Sequence, residues 1–286
     1  MNGQLPIHDV LEELLLALRA EKRVVLCAPP GAGKTTVVPL AMLSDGGFEG
    51  KIIMLEPRRL AARAAAERMA TSLAEEVGET VGYRVRGETK TSSKTKIEVV
   101  TEGILTRLIQ SDPELQGISC IIFDEFHERS LNADLGLALS LEIRDALRDD
   151  LRIVVMSATL AAEPISRLMQ DAPIITSQGH SYPVTPIWLS RPVSTKPRLE
   201  VGVAELVKQA LEQTDGSVLV FLPGEREIRN IQRVLSSGLA NDVSIYPLFG
   251  ALDFKEQQMA IASPKKGRKV VLATSIAETS LTIEGI

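Results

Sequence analysis

The sequence has 286 residues, 44% of them apolar and 24% charged, which fits a globular chain with a sizeable core and excludes collagen-like, low-complexity and wholly disordered classes. At roughly 150 residues per domain, that length predicts about two domains. Thirty-two basic against 37 acidic side chains leave a net charge of -5, so a histone-like grip on nucleic acid through bulk charge is excluded, while a local basic track is not.

An amphipathic helix opens the chain. Asp9 stands at its cap, Glu12 follows three residues later, and Val10, Leu11, Leu14, Leu15 and Leu18 share one face. Short apolar runs rich in branched residues then alternate with helical segments. Strands are predicted at 24–27, 52–55, 81–86, 97–101, 119–124 and 153–157, with helices from about 33, over 59–76 and between most of the other strands. This alternation predicts an α/β fold with a parallel sheet covered by helices on both faces. Residues 88–96 contain no apolar side chain and read as an exposed hairpin or loop.

Pro183, Pro186, Pro192 and Pro197 then break the rhythm, which predicts a domain connection. Beyond it the rhythm resumes, with helices at 199–213, 225–235 and 253–262 and strands at 218–222, 243–248 and 270–274. The expected organisation is a first domain over 1–178, a linker over 179–198 and part of a second domain of the same architecture over 199–286.

Cys27 and Cys120 both fall in predicted strands and are expected to act as buried small hydrophobes, not as a disulfide or metal site. The three histidines show no zinc spacing, and the ten Phe, Tyr and Trp residues are too few for base stacking to dominate any nucleic-acid contact. No apolar stretch reaches the roughly 18 residues that span a bilayer, and the N-terminus lacks the pattern of a leader. A cytoplasmic chain without a membrane contact is therefore expected.

The strongest chemical signal is the run from Ala28 to Thr36, Ala-Pro-Pro-Gly-Ala-Gly-Lys-Thr-Thr, between a predicted strand and a predicted helix. Gly31 and Gly33 permit backbone conformations that turn successive N–H groups toward phosphate oxygens, and the helix N-terminus adds partial positive charge. Gly31, Ala32, Gly33, Lys34, Thr35 and Thr36 are the candidate nucleotide-binding residues. Lys34 can reach the β- and γ-phosphates, and the Thr35 hydroxyl can ligate Mg²⁺. Ala28 stands where the general pattern begins with glycine.

A second apolar run delivers Asp124 and Glu125 at its C-terminal end, followed by Phe126, His127, Glu128 and Arg129. In a parallel sheet, that edge is where ligands bind. Asp124 is the candidate Mg²⁺ ligand with Thr35, and Glu125 the candidate base for a water that attacks the γ-phosphate. Taken alone, the run could also be a solvated end of a strand. Ser157-Ala158-Thr159 ends another strand and gains meaning only through its order after the Asp-Glu pair. Arg58 and Arg59 after one strand, and Thr101 after another, are placed to follow a phosphate backbone.

In this order the motifs resemble those of superfamily 2 helicases of the DEAH/RHA type. APPGAGKTT resembles motif I, LEPRR motif Ia, TEGILTR motif Ib, DEFHER motif II and SAT motif III; VLVFLPGEREI resembles motif IV and ATSIAETSLTIEGI motif V. The start of motif I, the phenylalanine in DEFH and the run LEPRRLAAR are most similar to the bacterial branch of that type. The resemblance implies two RecA-like domains, ATP held between them with Mg²⁺, and a single strand of nucleic acid, RNA favoured over DNA. It implies that His127 joins Lys34, Asp124 and Glu125 in the catalytic set and links the nucleotide to motif III. Ser157 and Thr159 are then coupling residues. Arg58, Arg59, Thr101 and Thr274 are expected on the nucleic-acid backbone. Arg68 is expected against one face of the nucleotide base, with Ile261 at the place of a stacking phenylalanine. Glu284 takes the place of an aspartate near the ribose.

No segment matches the arginine-rich motif VI, so the expectation for these residues is nucleotide binding with weak or absent hydrolysis. Two other readings stay open at this point: a phosphate-loop ATPase of another class, and a nucleotide- and nucleic-acid-binding module without turnover. The oligomeric state is not legible.

Overall fold

The computed structural model describes residues 5–159, 162–179, 183–190, 199–240, 242–264, 266–278 and 282–286. The chain divides into two compact units, Met1–Tyr182 and Pro183–Ile286. Part of the expected linker, at 180–182 and at 191–198 with Pro192 and Pro197, lies outside the described residues.

In the first unit, α1 (Leu11–Ala20) leads into β1 (Arg23–Cys27), α2 (Lys34–Ser44), β2 (Lys51–Glu56) and α3 (Arg59–Ser72). The hairpin β3 (Val81–Val85) and β4 (Glu88–Lys90) follows, then β5 (Ile97–Thr101), α4 (Glu102–Ser111), β6 (Ile118–Phe123), α5 (Leu131–Ala146), β7 (Arg152–Ser157), α6 (Glu163–Leu168) and β8 (Ile174–Thr176). These strands form one sheet in the order β4-β3-β5-β2-β6-β7-β1-β8, parallel except for β4.

The near-continuous apolar strands have two buried faces because helices cover both. Val24 and Leu26 of β1, Cys120 and Ile122 of β6, and Val154 and Met156 of β7 pack in one core with α1, α2 and α3. Their sequence neighbours Val25, Ile121, Phe123, Ile153 and Val155 pack in a second core with α4, α5 and α6. The two-residue period of a strand sorts them this way. Cys27 and Cys120 are free and buried, as expected. Because the strands run parallel, β1, β2, β5, β6 and β7 all end on the same sheet edge, and that edge carries the motifs.

Two sequence expectations are corrected. Asp9 does not cap the first helix: Pro6 starts a short turn of 3-10 helix over Pro6–Val10, so Val10 is the cap residue of α1 and no side chain bonds there. The Ala-rich helix stops at Ser72, short of residue 76. The Leu73 N–H is shared between the carbonyls of Met69 and Ala70, and Ala74 adopts φ 56°, a left-handed conformation that ends a helix. The polar run at 88–96 does begin as an antiparallel hairpin strand.

The second unit contains α7 (Leu199–Gln213), β9 (Val218–Phe221), α8 (Glu225–Ser236), β10 (Val243–Leu248), α9 (Phe254–Ile261) and β11 (Arg268–Ala273). Its sheet is parallel, in the order β10-β11-β9. Ile228, Ile231 and Leu235 of α8 pack with Val270 and Leu272 in its core. Lys269 is fully buried, and its Nζ donates to the carbonyls of Ala260, Ile261 and Ala262 at 2.9, 3.2 and 2.7 Å, closing the C-terminus of α9.

Candidate nucleotide-binding site

The loop between β1 and α2 is shaped by backbone that only glycine adopts easily. Gly31 has φ 79° and Gly33 φ 95°, and a Cβ on Gly33 would come within 2.7 Å of Leu5 Cδ1. The Ala32 carbonyl accepts the Ile7 N–H at 3.1 Å, and the Ala28 N–H donates to the Ser157 carbonyl at 3.0 Å, so the loop is tied to the N-terminal turn and to the end of β7. Ala28 is buried in the core, which accounts for a small residue there. The Thr36 N–H bonds the Gly33 carbonyl at 3.3 Å within the turn that starts α2.

Register brings the motif-bearing strands side by side: Cys27 opposes Ser157, and Phe123 opposes both Leu55 and Val155. The loop side chains therefore meet the carboxylates. Lys34 Nζ donates to Glu125 Oε1 at 2.8 Å, and Thr35 Oγ1 donates to Asp124 Oδ2 at 2.6 Å. The Glu125 N–H donates to Asp124 Oδ1 at 2.8 Å, and Glu125 itself sits at φ 50°, a strained conformation that turns its carboxylate back toward Lys34. His127 Nε2 lies 3.3 Å from Glu125 Oε2, while its Nδ1 accepts the Ala158 N–H at 3.2 Å. Ser157 Oγ and Thr159 Oγ1 are 3.2 Å apart. The structure thus brings Lys34, Thr35, Asp124, Glu125, His127, Ser157 and Thr159 into one connected set.

Burial and charge act together on this set. Burial lowers the Lys34 ammonium, but the charges of Asp124, Glu125 and Glu56 outweigh it and hold Lys34 above its ordinary value. Burial, then the neighbouring Asp124 charge, raises the Glu125 carboxyl, with Lys34 and His127 opposing. A carboxylate raised in this way is a stronger base once its cation is withdrawn. Glu56 was not among the predicted site residues. It is 1% exposed, and burial, then the neighbouring Asp124, pushes it well above the ordinary carboxylate range. Its signal in the sequence is an acidic residue that directly follows the apolar run 52–55 of its strand.

These donors suit a hard cation. The side chains that converge from α2 and from the end of β6 are a hydroxyl and a carboxylate, both oxygen. No group of three or more His, Cys, Asp or Glu side chains among the described residues could hold a metal by itself. That is the pattern for Mg²⁺, which binds through one or two protein oxygens together with substrate phosphates. When bound, it would neutralise charge on the phosphate oxygens, with Thr35 and Asp124 holding it.

Arg58 precedes α3, Arg59 opens it, and Thr101 ends β5, paired in register with Glu56. Arg58 donates to Glu128 Oε2 at 3.2 Å, a partner that the sequence does not announce. Arg68 lies exposed on α3, nine residues beyond Arg59 or about 13 Å along the helix. In the second unit, Thr274 follows β11 and its N–H donates to the Leu248 carbonyl at 3.1 Å. Ile261 ends α9. Glu284 Oε2 accepts from the Ser263 hydroxyl at 2.6 Å and from its N–H at 3.2 Å. Among the described residues, no helix is long and apolar enough to cross a membrane.

Residues 8–168 match the DEAD/DEAH box helicase family, and residues 202–286 match the helicase conserved C-terminal domain. The chain is 51% identical to the ATP-dependent RNA helicase HrpB of Escherichia coli over 99% of its own length and 35% of that protein. It is 38% identical to the ATP-dependent RNA helicase HrpA of the same organism, covering 22% of that protein. The crystal structure of the Escherichia coli DEAH/RHA helicase HrpB superposes with a TM-score of 0.92 over 99% of this chain and 36% of the other. The chain thus spans about a third of the length of the first relative and about a fifth of the second. The fold is that of two RecA-like domains.

Proposed function

The chain belongs to the DEAD/DEAH box helicases, and from that premise we propose that it is the nucleotide-binding motor of a DEAH-type, ATP-dependent RNA helicase. The observation that carries this is the pairing of loop and carboxylates: Lys34 with Glu125, and Thr35 with Asp124. Lys34 and the loop N–H groups bind the phosphates, and Thr35 and Asp124 hold Mg²⁺. Glu125 orients an attacking water and takes its proton, and His127 holds Glu125 in place from the motif III side. Arg58, Arg59 and Thr101 of the first unit, and Thr274 of the second, contact the backbone of a single strand, so binding is salt-sensitive and nearly blind to sequence. Arg68 and Glu284 contact the base and ribose of the nucleotide. RNA is favoured because the relatives are named RNA helicases.

Hydrolysis by these 286 residues alone is proposed to be slow, since they include no arginine-rich motif VI. An arginine aimed at the γ-phosphate contributes about 10³–10⁵ in turnover, so binding survives its absence better than hydrolysis does. Steady-state ATP turnover, with and without single-stranded RNA or DNA, tests the reading. Expected are a low basal rate and a rise with added strand. A triphosphatase indifferent to every strand, at low salt, would favour a phosphate-loop ATPase of another class.

A further inference from the structure

Glu128 has no part in the nucleotide chemistry above, yet it shares a short 3-10 helix, Phe126–Glu128, with His127. Its Oε2 receives the Arg58 guanidinium at 3.2 Å, and both side chains are partly buried, 19% and 24% exposed. The ground around this pair is acidic. Ser130 donates to Glu102, and Arg129 spans Asp134 with bonds of 3.1 and 2.9 Å. Burial raises the Glu102 carboxyl, and the charges of Glu128 and Asp134 add to it.

We propose that Glu128 is a positioning residue that engages Arg58 with a carboxylate where a nucleic-acid phosphate would otherwise sit, so that an arriving strand competes with Glu128 for Arg58. The proposal rests on the reading of Arg58 as a backbone contact. A guanidinium binds carboxylate and phosphate oxygens through the same fork, so the two anions compete for it. The exchange reaches the nucleotide site over a short path. Glu128 is the residue after His127, and His127 bridges Glu125 and the Ala158 N–H. The exchange therefore takes place on the same short turn that carries His127.

The test is fluorescence anisotropy of a short labelled oligouridylate, at fixed low salt, with the full 286-residue chain. The variants are Glu128→Gln, Glu128→Asp, Arg58→Ala and the Glu128→Gln/Arg58→Ala pair. Glu128→Gln is expected to bind about three- to ten-fold more tightly than wild type, and Arg58→Ala more weakly. Glu128→Asp, which keeps the charge on a shorter arm, falls between wild type and Glu128→Gln. In the Arg58→Ala background, Glu128→Gln changes nothing. A merely structural role predicts weaker binding for Glu128→Gln, not tighter, and that result would overturn the proposal. A gain that persists without Arg58 would also overturn it, as a general charge effect. Wild type and Arg58→Ala binding alike would remove the reading of Arg58 itself, and the proposal with it.

Discussion

Lys34 Nζ and Glu125 Oε1 are 2.8 Å apart, so the cation suited to phosphate and the carboxylate suited to activate water neutralise each other in this structure. Both side chains are at least nine-tenths buried. Breaking such a pair without a substitute partner is costly, because it leaves a buried charge alone. In the proposed function, a triphosphate supplies that substitute for Lys34, and Glu125 gains basicity as it loses its cation. The pair thus couples phosphate binding to the readiness of the base.

Glu125→Gln follows directly from this. The amide keeps the size of the side chain and an oxygen for Lys34, but it takes no proton. Mg·ATP affinity is expected to stay within about three-fold of wild type, while any measured turnover falls by about 10²–10⁴. Parallel calorimetry and phosphate-release assays check this, and unchanged turnover would contradict the role given to Glu125.

His127→Ala removes the acceptor of the Ala158 N–H and the neighbour of Glu125 Oε2. The expected loss is in coupling. The ratio of turnover with strand to turnover without it falls toward one, while nucleotide affinity changes little. A preserved ratio would show that motif III is linked to the nucleotide by another route.

Much of this site was legible because chemistry and topology coincide. Gly31, Gly33, Lys34 and Thr35 announce a phosphate loop by residue type, and Asp124 and Glu125 end an apolar run. What the sequence hid depends on lateral strand order. Glu56 meets Asp124 because β2 lies beside β6, though 68 residues separate them. Arg58 meets Glu128 for the same reason, and neither pairing has a local pattern. Helix ends were hidden as well. Pro6 diverts the chain before Asp9 could cap a helix, and Ala74 turns left-handed without a glycine to mark the place.

The raised Glu102 carboxyl makes a prediction about pH. Burial, with Glu128 and Asp134 nearby, raises it in the folded state. Its contribution to stability is therefore full below the ordinary carboxylate range and is lost as pH rises through the folded value. Glu102→Gln removes that loss and keeps an acceptor for Ser130. The thermal midpoint of the variant minus that of wild type is expected to be larger at pH 7 than at pH 4. Equal differences at both would contradict the assigned direction.

Lys269→Met tests the second unit. Three carbonyls at the C-terminus of α9 lose their donor, and the thioether replaces it with apolar volume. The expected cost is about 2–4 kcal/mol, mostly from the orphaned carbonyls. In urea unfolding, the second unit should open earlier while Mg·ATP affinity stays intact. An unchanged profile would show that these bonds contribute little.

The central claim is that the Gly31–Thr36 loop of this chain binds a nucleoside triphosphate with Mg²⁺ through Lys34. The most direct measurement is calorimetric titration of Mg·ATP into wild type and Lys34→Ala. Weaker binding is expected in the variant, by roughly 2–3 kcal/mol, the size of a lost charge-assisted contact to phosphate. Equal affinities for wild type and variant would contradict it.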